Sequence, residues 1–177
     1  MAGLTTHRLH VREVTLDDAE FIEKLTNEPG WLRFIGDKGI RSLEDAKAYI
    51  GGSMIASYQK NGYGIWLVET RGDSTSPAEP VGSCGLVNRD TLSGVDLGFA
   101  FLQKTEGCGY AYEAAQAVIK YAKKTVELSS LKAITLPDNE RSINLLRRLL
   151  FEDKGPIQMA GADNTTIENL LLFERTL

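Results

Sequence analysis

The sequence predicts a mixed α/β layer structure. Three observations carry that expectation: two amphipathic helical patterns near the start, three consecutive strand-like segments in the middle, and a strand, loop, helix and strand in succession after them. Leu9 to Val14 reads as a short strand. It runs into Thr15-Leu16-Asp17-Asp18, where a hydroxyl three residues ahead of a carboxylate caps a helix start. Phe21, Ile22 and Leu25 give that helix one apolar face. Residues 27–40 read as a loop because Pro29, Gly30, Gly36 and Gly39 interrupt them, although Trp31, Phe34 and Ile35 also fall there. Ser42-Leu43-Glu44-Asp45 repeats the capping signal, and Leu43, Ala46, Ile50 and Met54 recur at helical spacing, so a second helix is expected to about Tyr58.

From Tyr63 the pattern changes to short segments rich in Ile, Trp, Leu and Val, at 63–69, 81–88 and 94–102. Turn-rich stretches at 71–80 and 89–93 separate them, which makes consecutive antiparallel strands the expectation. A glycine loop follows, Glu106-Gly107-Cys108-Gly109, and then a helix whose Ala111, Ala114, Ala115, Val118 and Ala122 share one face. Small residues there permit close packing on a sheet. Leu131 to Leu136 reads as a strand, Pro137-Asp138-Asn139 as a turn and Ser142 to Leu150 as a helix. Segments 151–159 and 167–173 are expected to close the sheet around a turn from Gly161 to Thr166.

A length of 177 residues suits one full-sized domain over 1–177. At 42% hydrophobic and 25% charged residues the composition is that of a folded globular chain, and no apolar run approaches the roughly 18 residues a membrane span needs. No membrane association and a cytoplasmic location are therefore expected. Lys and Arg number 20 against 24 Asp and Glu, a net charge of -4 with no long basic run, so nucleic acid is not an expected partner. A homodimer stays open. Cys84 and Cys108 lack CxxC spacing and a nearby histidine, which indicates neither a metal site nor a redox motif. Both histidines, His7 and His10, lie in the first ten residues, so proton transfer elsewhere falls to carboxylate, Tyr, Ser, Cys or water.

Between a strand and a helix, Gly107 to Ala111 leave several backbone N–H groups without intrahelical partners, which makes an anion site. A plain turn explains the same glycines. No Gly-Lys followed by Ser or Thr occurs, which excludes a Walker loop, and Tyr112 stands where a dinucleotide fingerprint wants Gly or Ala. More specific is the ordered set Val95-Asp96-Leu97-Gly98-Phe99-Ala100-Phe101-Leu102, Gly107-Cys108-Gly109-Tyr110-Ala111-Tyr112-Glu113-Ala114, Pro137-Asp138-Asn139-Glu140-Arg141-Ser142 and Leu149-Leu150-Phe151. Together these resemble the GNAT superfamily of acetyl-CoA-dependent N-acetyltransferases, and within it the branch that includes the ribosomal-protein-alanine N-acetyltransferases. Gly82-Ser83-Cys84-Gly85-Leu86 and residues 40–50 fit the same pattern upstream.

That resemblance implies a GNAT-like acyl-CoA N-acyltransferase fold: a largely antiparallel twisted sheet with a central splayed strand pair and helices on both faces. It implies acetyl-CoA as cosubstrate, no metal, and an amine acceptor that is a small molecule or a protein N-terminus. Gly107, Cys108, Gly109, Tyr110 and Ala111 would give amides to the diphosphate. The strand ending at Phe101 and Leu102 would pair its free backbone groups with pantetheine, as an added strand pairs with a sheet edge. Asn139 and Ser142 would contact the cofactor, with a helix cap as the other reading of Asn139. The Phe101 region would supply the oxyanion N–H, Asp96 is the nominated base against a plain surface carboxylate, and Trp31 and Phe34 would line the acceptor groove or simply anchor their loop. Arg147 and Arg148 either meet nucleotide phosphates or form a solvated face. Cys108 as an acyl carrier is disfavoured, since the loop uses its amide.

Three departures stand out: Glu106 where the family prefers Gln, Arg or Trp, Leu150 where it has Gly, and Leu146 where many members have a thiolate-protonating Tyr. A non-catalytic acyl-CoA-binding module is the alternative that Glu106 and the missing Tyr prompt.

Overall fold

A computed structural model describes residues 3–72, 75–160 and 167–177. Among these, eight strands form one sheet: β1 (Leu4–Thr5), β2 (Leu9–Arg12), β3 (Ile65–Thr70), β4 (Pro80–Asn88), β5 (Val95–Phe101), β6 (Ser130–Thr135), β7 (Glu152–Ala160) and β8 (Ile167–Thr176). Their spatial order is β1-β2-β3-β4-β5-β6-β8-β7, and every neighbouring pair is antiparallel except β5 and β6. The turn expected at Gly161 to Thr166 lies outside the described residues.

Alternation along the strands divides the core. On one face Trp66, Val68, Leu86, Leu97, Leu131 and Phe173 pack against helix α5 (Tyr110–Lys124), described below with α6. The small α5 residues Ala114, Ala115, Val118 and Ala122 are fully buried, so the helix backbone lies close on the sheet. Trp66 meets Tyr121 edge-on, with centroids 5.1 Å apart at 89°. On the opposite face Leu67 packs with Val14, Ile22, Ala46, Ile50 and Met54. Apart from Val14, which follows β2, these come from α1 (Ala19–Thr26), α3 (Leu43–Tyr49) and the helical residues that follow. Helices thus cover both faces. Cys84 is buried in the first core, which pushes its thiol pKa up, and Cys108 is exposed.

Two stretches differ from the sequence reading. Within the expected loop at 27–40, α2 (Pro29–Phe34) forms because Glu28 is extended and Pro29 sits at the first helical position, where its missing N–H costs nothing. The helix expected to Tyr58 is three pieces in series: α3, a π-helical turn at Ile50–Ile55 and α4 (Ala56–Asn61). Gly51 and Gly52 fall in that turn, where the wider winding is accommodated without a side chain. At the sheet's far edge, β7 shifts register between Asp153 and Gly155 and continues with Pro156. None of the described helices is long and apolar enough to cross a membrane.

Helix α6 (Glu140–Arg148) ends in a Schellman motif: Phe151 N–H bonds the Leu146 carbonyl at 3.0 Å and Leu150 N–H bonds Arg147 at 3.0 Å. Phe151 and Leu146 are both buried against each other's core. The motif requires a left-handed residue, and Leu150 supplies it at φ 62° with its side chain 71% exposed. The family's glycine at this position is explained by that φ. Leu150→Gly should raise unfolding free energy by about 1 kcal/mol, since the backbone strain disappears and no buried side chain is lost. A shift of the urea midpoint to higher concentration with unchanged slope checks it.

Candidate functional site

The site begins where β5 and β6 part. Leu102 gives its N–H to the Val81 carbonyl at 3.0 Å, so by antiparallel alternation Ala100 and Gly98 also bond β4, while Phe99 and Phe101 direct N–H and C=O the other way. On that side β6 meets β5 at one register position, Asp96 opposite Lys132. Beyond it, Phe99 and Phe101 present an unfilled strand edge to the gap. Leu102 departs from its expected role: its N–H serves Val81 and its carbonyl accepts Thr105 N–H and Oγ1, so no backbone group is left for a ligand.

The open edge leads to the glycine loop. A short turn at Gln103–Thr105 is followed by Gly107 and Gly109, both in the left-handed region at φ 78° and 79°. Among the described residues the N–H groups of Gly107, Gly109, Tyr110, Ala111 and Tyr112 have no acceptor, whereas Cys108 N–H bonds Thr105 at 3.3 Å. A Cβ on Gly107 would meet nothing within 4 Å, so the space over these amides is open. Five donors at the N-terminus of a 15-residue helix make a site for an anionic group.

Arg8, more than a hundred residues away in sequence, holds the loop in place. Its Nη1 donates to the Cys108 carbonyl at 2.8 Å, its Nε and backbone N–H reach Glu113 at 2.7 and 2.8 Å, and its guanidinium lies 4.8 Å from the Tyr110 ring centre. Thr6 Oγ1 donates to the same Glu113 oxygen at 2.6 Å. Glu106, the unfavourable departure, is ion-paired with Arg141 of α6, which supplies a counter-charge beside the loop. Asn139 caps α6 by accepting the Ser142 N–H at 3.2 Å. Both residues stand at the start of α6, which follows β6 after a short turn.

On the opposite face of β5, Trp31 packs with Leu25, Phe21, Ala100 and Leu102. Its indole N–H is buried with no partner among the described residues. Phe34 is half-buried, with the Arg33 guanidinium 4.9 Å from its ring centre. Helix α2 is tied to the segments that follow both parting strands: Glu28 accepts the Gln103 N–H at 3.0 Å, and Arg33 pairs with Asp138 at 2.8 Å. Asp96 lies at the point of divergence, 1% exposed, receiving Arg89 Nε on both oxygens at 3.2 Å. Burial pushes its carboxyl pKa up, and the Arg89 charge and hydrogen bonds oppose that. Burial pushes the Tyr49 hydroxyl pKa up as well, and the Arg89 charge opposes that rise. Among the described residues no cluster could hold a metal ion.

A strand edge left open beside an amide-lined loop is matched by a family comparison. The family described as Acetyltransferase (GNAT) domain matches residues 8–152. The chain belongs to this family. It is therefore an acyltransferase enzyme. An uncharacterized N-acetyltransferase, p20, of Bacillus licheniformis is 27% identical over 158 residues, 88% of this chain and 85% of that protein. The alanine N-acetyltransferase of ribosomal protein uS5 from Escherichia coli is 38% identical over 69 residues, 39% of this chain and 36% of that enzyme. A ribosomal α-N-protein acetyltransferase solved in complex with coenzyme A superposes with a TM-score of 0.81 at 16% identity, covering 99% of this chain and 98% of that one. At that identity the likeness is one of fold.

No local signal in the sequence marks Arg8, Arg33 or Arg141 as parts of this site, because each acts on an element distant along the chain. Glu113 was within reach of the sequence, being an acidic residue in the first turn of a helix that opens on a glycine loop. Its carboxyl is desolvated, which raises its pKa, but the bonds from Thr6 and Arg8 outweigh that and hold it below 4.5. A lowered folded value stabilises the tie above the unfolded pKa and loses it as pH falls through the folded value. Glu113→Gln should therefore lower the melting temperature at pH 7 and bring it nearer to wild type as pH falls below 4.5, which melting curves across that range measure.

Proposed function

We propose that this enzyme transfers an acetyl group from acetyl-CoA to a primary amine by direct attack. The observation that carries the reading is continuity: the unpaired Phe99 and Phe101 edge runs into the free amides of residues 107 and 109–112. That arrangement fits an elongated ligand with peptide-like amides along its length and a diphosphate at its end. Acetyl-CoA bound there supplies the activated acyl carbon. Phe101 N–H is the proposed oxyanion donor, fixed in direction by the β4 ladder and so needing no reorganisation. Asn139 keeps its side-chain amide nitrogen for the ligand while its oxygen caps α6, and Ser142 lies one turn further on.

Asp96 is the proposed base. Its position at the base of the gap and its raised pKa favour proton acceptance, and the Arg89 charge and hydrogen bonds counter part of that rise. Because Asp96 is buried, the proton passes through a water at the gap. Leu146 is buried and apolar, so it offers no proton, and solvent is the proposed donor to the leaving sulfur. Trp31 and Phe34 are proposed to border the amine, with α2 spanning the acceptor side. Acceptors with a free α-amino group, including a protein N-terminus, are favoured by the acceptor named for the E. coli relative.

Saturating acetyl-CoA should raise the melting temperature, and thiol should be released from it in the presence of an amine panel whose acetylated products are identified by mass. A thermal shift without thiol release or product from any amine would favour a binding module; neither effect would end the cofactor reading. For the base, Asp96→Asn should keep acetyl-CoA affinity and lose about 10²-fold in kcat, with the deficit shrinking as pH rises and the amine deprotonates unaided. Parallel pH profiles of similar height for the two proteins would remove Asp96 from proton transfer.

A further inference from the structure

A cavity of about 500 Å³ opens beside the first turn of α5. His7 and Arg8 line it from the β1–β2 turn, Thr70 and Arg71 from the end of β3, and Tyr110 from the start of α5. Among the described residues no carboxylate lines it, although the chain as a whole carries a charge of -4. The two guanidiniums differ. Arg8 shares its charge with Glu113. Arg71 makes only long bonds to the Thr6 and His7 carbonyls, 3.3 and 3.4 Å, and is paired with no carboxylate among the described residues. An exposed cation held by two neutral oxygens has its charge available to an incoming anion.

The cavity adjoins the amide-lined loop directly. Tyr110 belongs to both, contributing a free N–H to the loop and its side chain to the cavity wall. Arg8 joins them too: its Nη2 lies 3.4 Å from where a Cβ on Gly109 would stand. A ligand held by its diphosphate at residues 107–112 would therefore lie beside the cavity that Arg71 and Tyr110 line together. In coenzyme A the group next to the diphosphate is a ribose bearing a phosphomonoester, a dianion at neutral pH that a diphosphate site alone does not balance. We infer that the cavity between Arg8, Arg71 and Tyr110 is the subsite for the 3′-phosphate of the coenzyme's nucleotide. This rests on the acetyl-CoA reading and adds to it a reason for choosing the phosphorylated coenzyme over its dephospho form. The rival position is Arg148, whose guanidinium sits 4.6 Å over the Tyr112 ring on the same turn of α5.

Calorimetric titration of coenzyme A and 3′-dephospho-coenzyme A into wild type, Arg71→Gln and Arg148→Gln separates these. Wild type should prefer coenzyme A by about tenfold or more, the weight of one charge-assisted hydrogen bond. Arg71→Gln should lose that preference while its affinity for the dephospho form holds, Arg71→Lys should keep part of it, and Arg148→Gln should retain it. Since Arg71 is exposed, ligand-free melting temperatures of the variants should match wild type. Equal binding of the two forms by wild type overturns the subsite and leaves the cofactor reading standing. A preference that survives in Arg71→Gln, or that vanishes only in Arg148→Gln, also overturns it. Failure of wild type to bind either form would instead sink the cofactor reading beneath it.

Discussion

Everything proposed for this molecule depends on one constraint, that β5 and β6 pair at Asp96 and Lys132 and then separate. A parallel neighbour normally satisfies every second N–H and C=O along a strand, and here β5 continues past its last partner with its hydrogen-bonding groups still aligned. The alignment is not lost because β4 holds β5 along its other edge from Asn88 through Gly82. A rigid strand with one satisfied side and one open side is a preorganised receptor for a ligand that carries amides. The separation also sets where other groups must stand: Asp96 at its base, Phe101 near its mouth, and Asn139 on the facing strand's exit.

Charge around that gap is arranged largely in matched pairs. Glu113 neutralises Arg8, Arg141 answers Glu106, Asp138 holds Arg33, and Asp96 receives Arg89. Most of these pairs are solvent-exposed on at least one side and contribute little to stability individually. Their value lies in geometry. Arg8 fixes a carbonyl of the loop, and Arg33 with Glu28 ties α2 to the segments that follow both parting strands. A carboxylate in the loop would repel an anion, but Glu106 has a guanidinium against it, so this departure from the family pattern has a local compensation.

The sheet and its main helices were legible because they follow from periodicity, and the position of the gap came from the resemblance that the contiguous motifs carry. Ala114, Ala115, Val118 and Ala122 announce a helix pressed on a sheet, and Gly107 and Gly109 announce a loop that needs left-handed backbone. Helix α2 was not legible because its Pro and Gly read as breakers, whereas Pro29 starts the helix and Gly30 is simply tolerated inside it. The π-helical turn was hidden for a related reason, since Leu43, Ala46, Ile50 and Met54 keep a helical rhythm that does not distinguish windings. Of the site, backbone roles could be assigned but not their availability. That Leu102 and Cys108 spend their N–H groups on Val81 and Thr105 is a property of register and turn type, neither of which residue identity encodes.

An unpaired strand edge is ordinarily a hazard, because any extended chain can add to it and aggregates grow that way. The outer rims of this sheet are blunted against such growth. On one side β1 is only two residues long; on the other β7 carries a bulge after Asp153, then Pro156, which has no N–H to offer. The open run at Phe99 to Phe101 is placed in the interior of the sheet between two strands of the same molecule. Only something as narrow as a single chain can enter there, and a second sheet cannot. The fold thus converts a feature that would make the protein sticky into one that makes it selective.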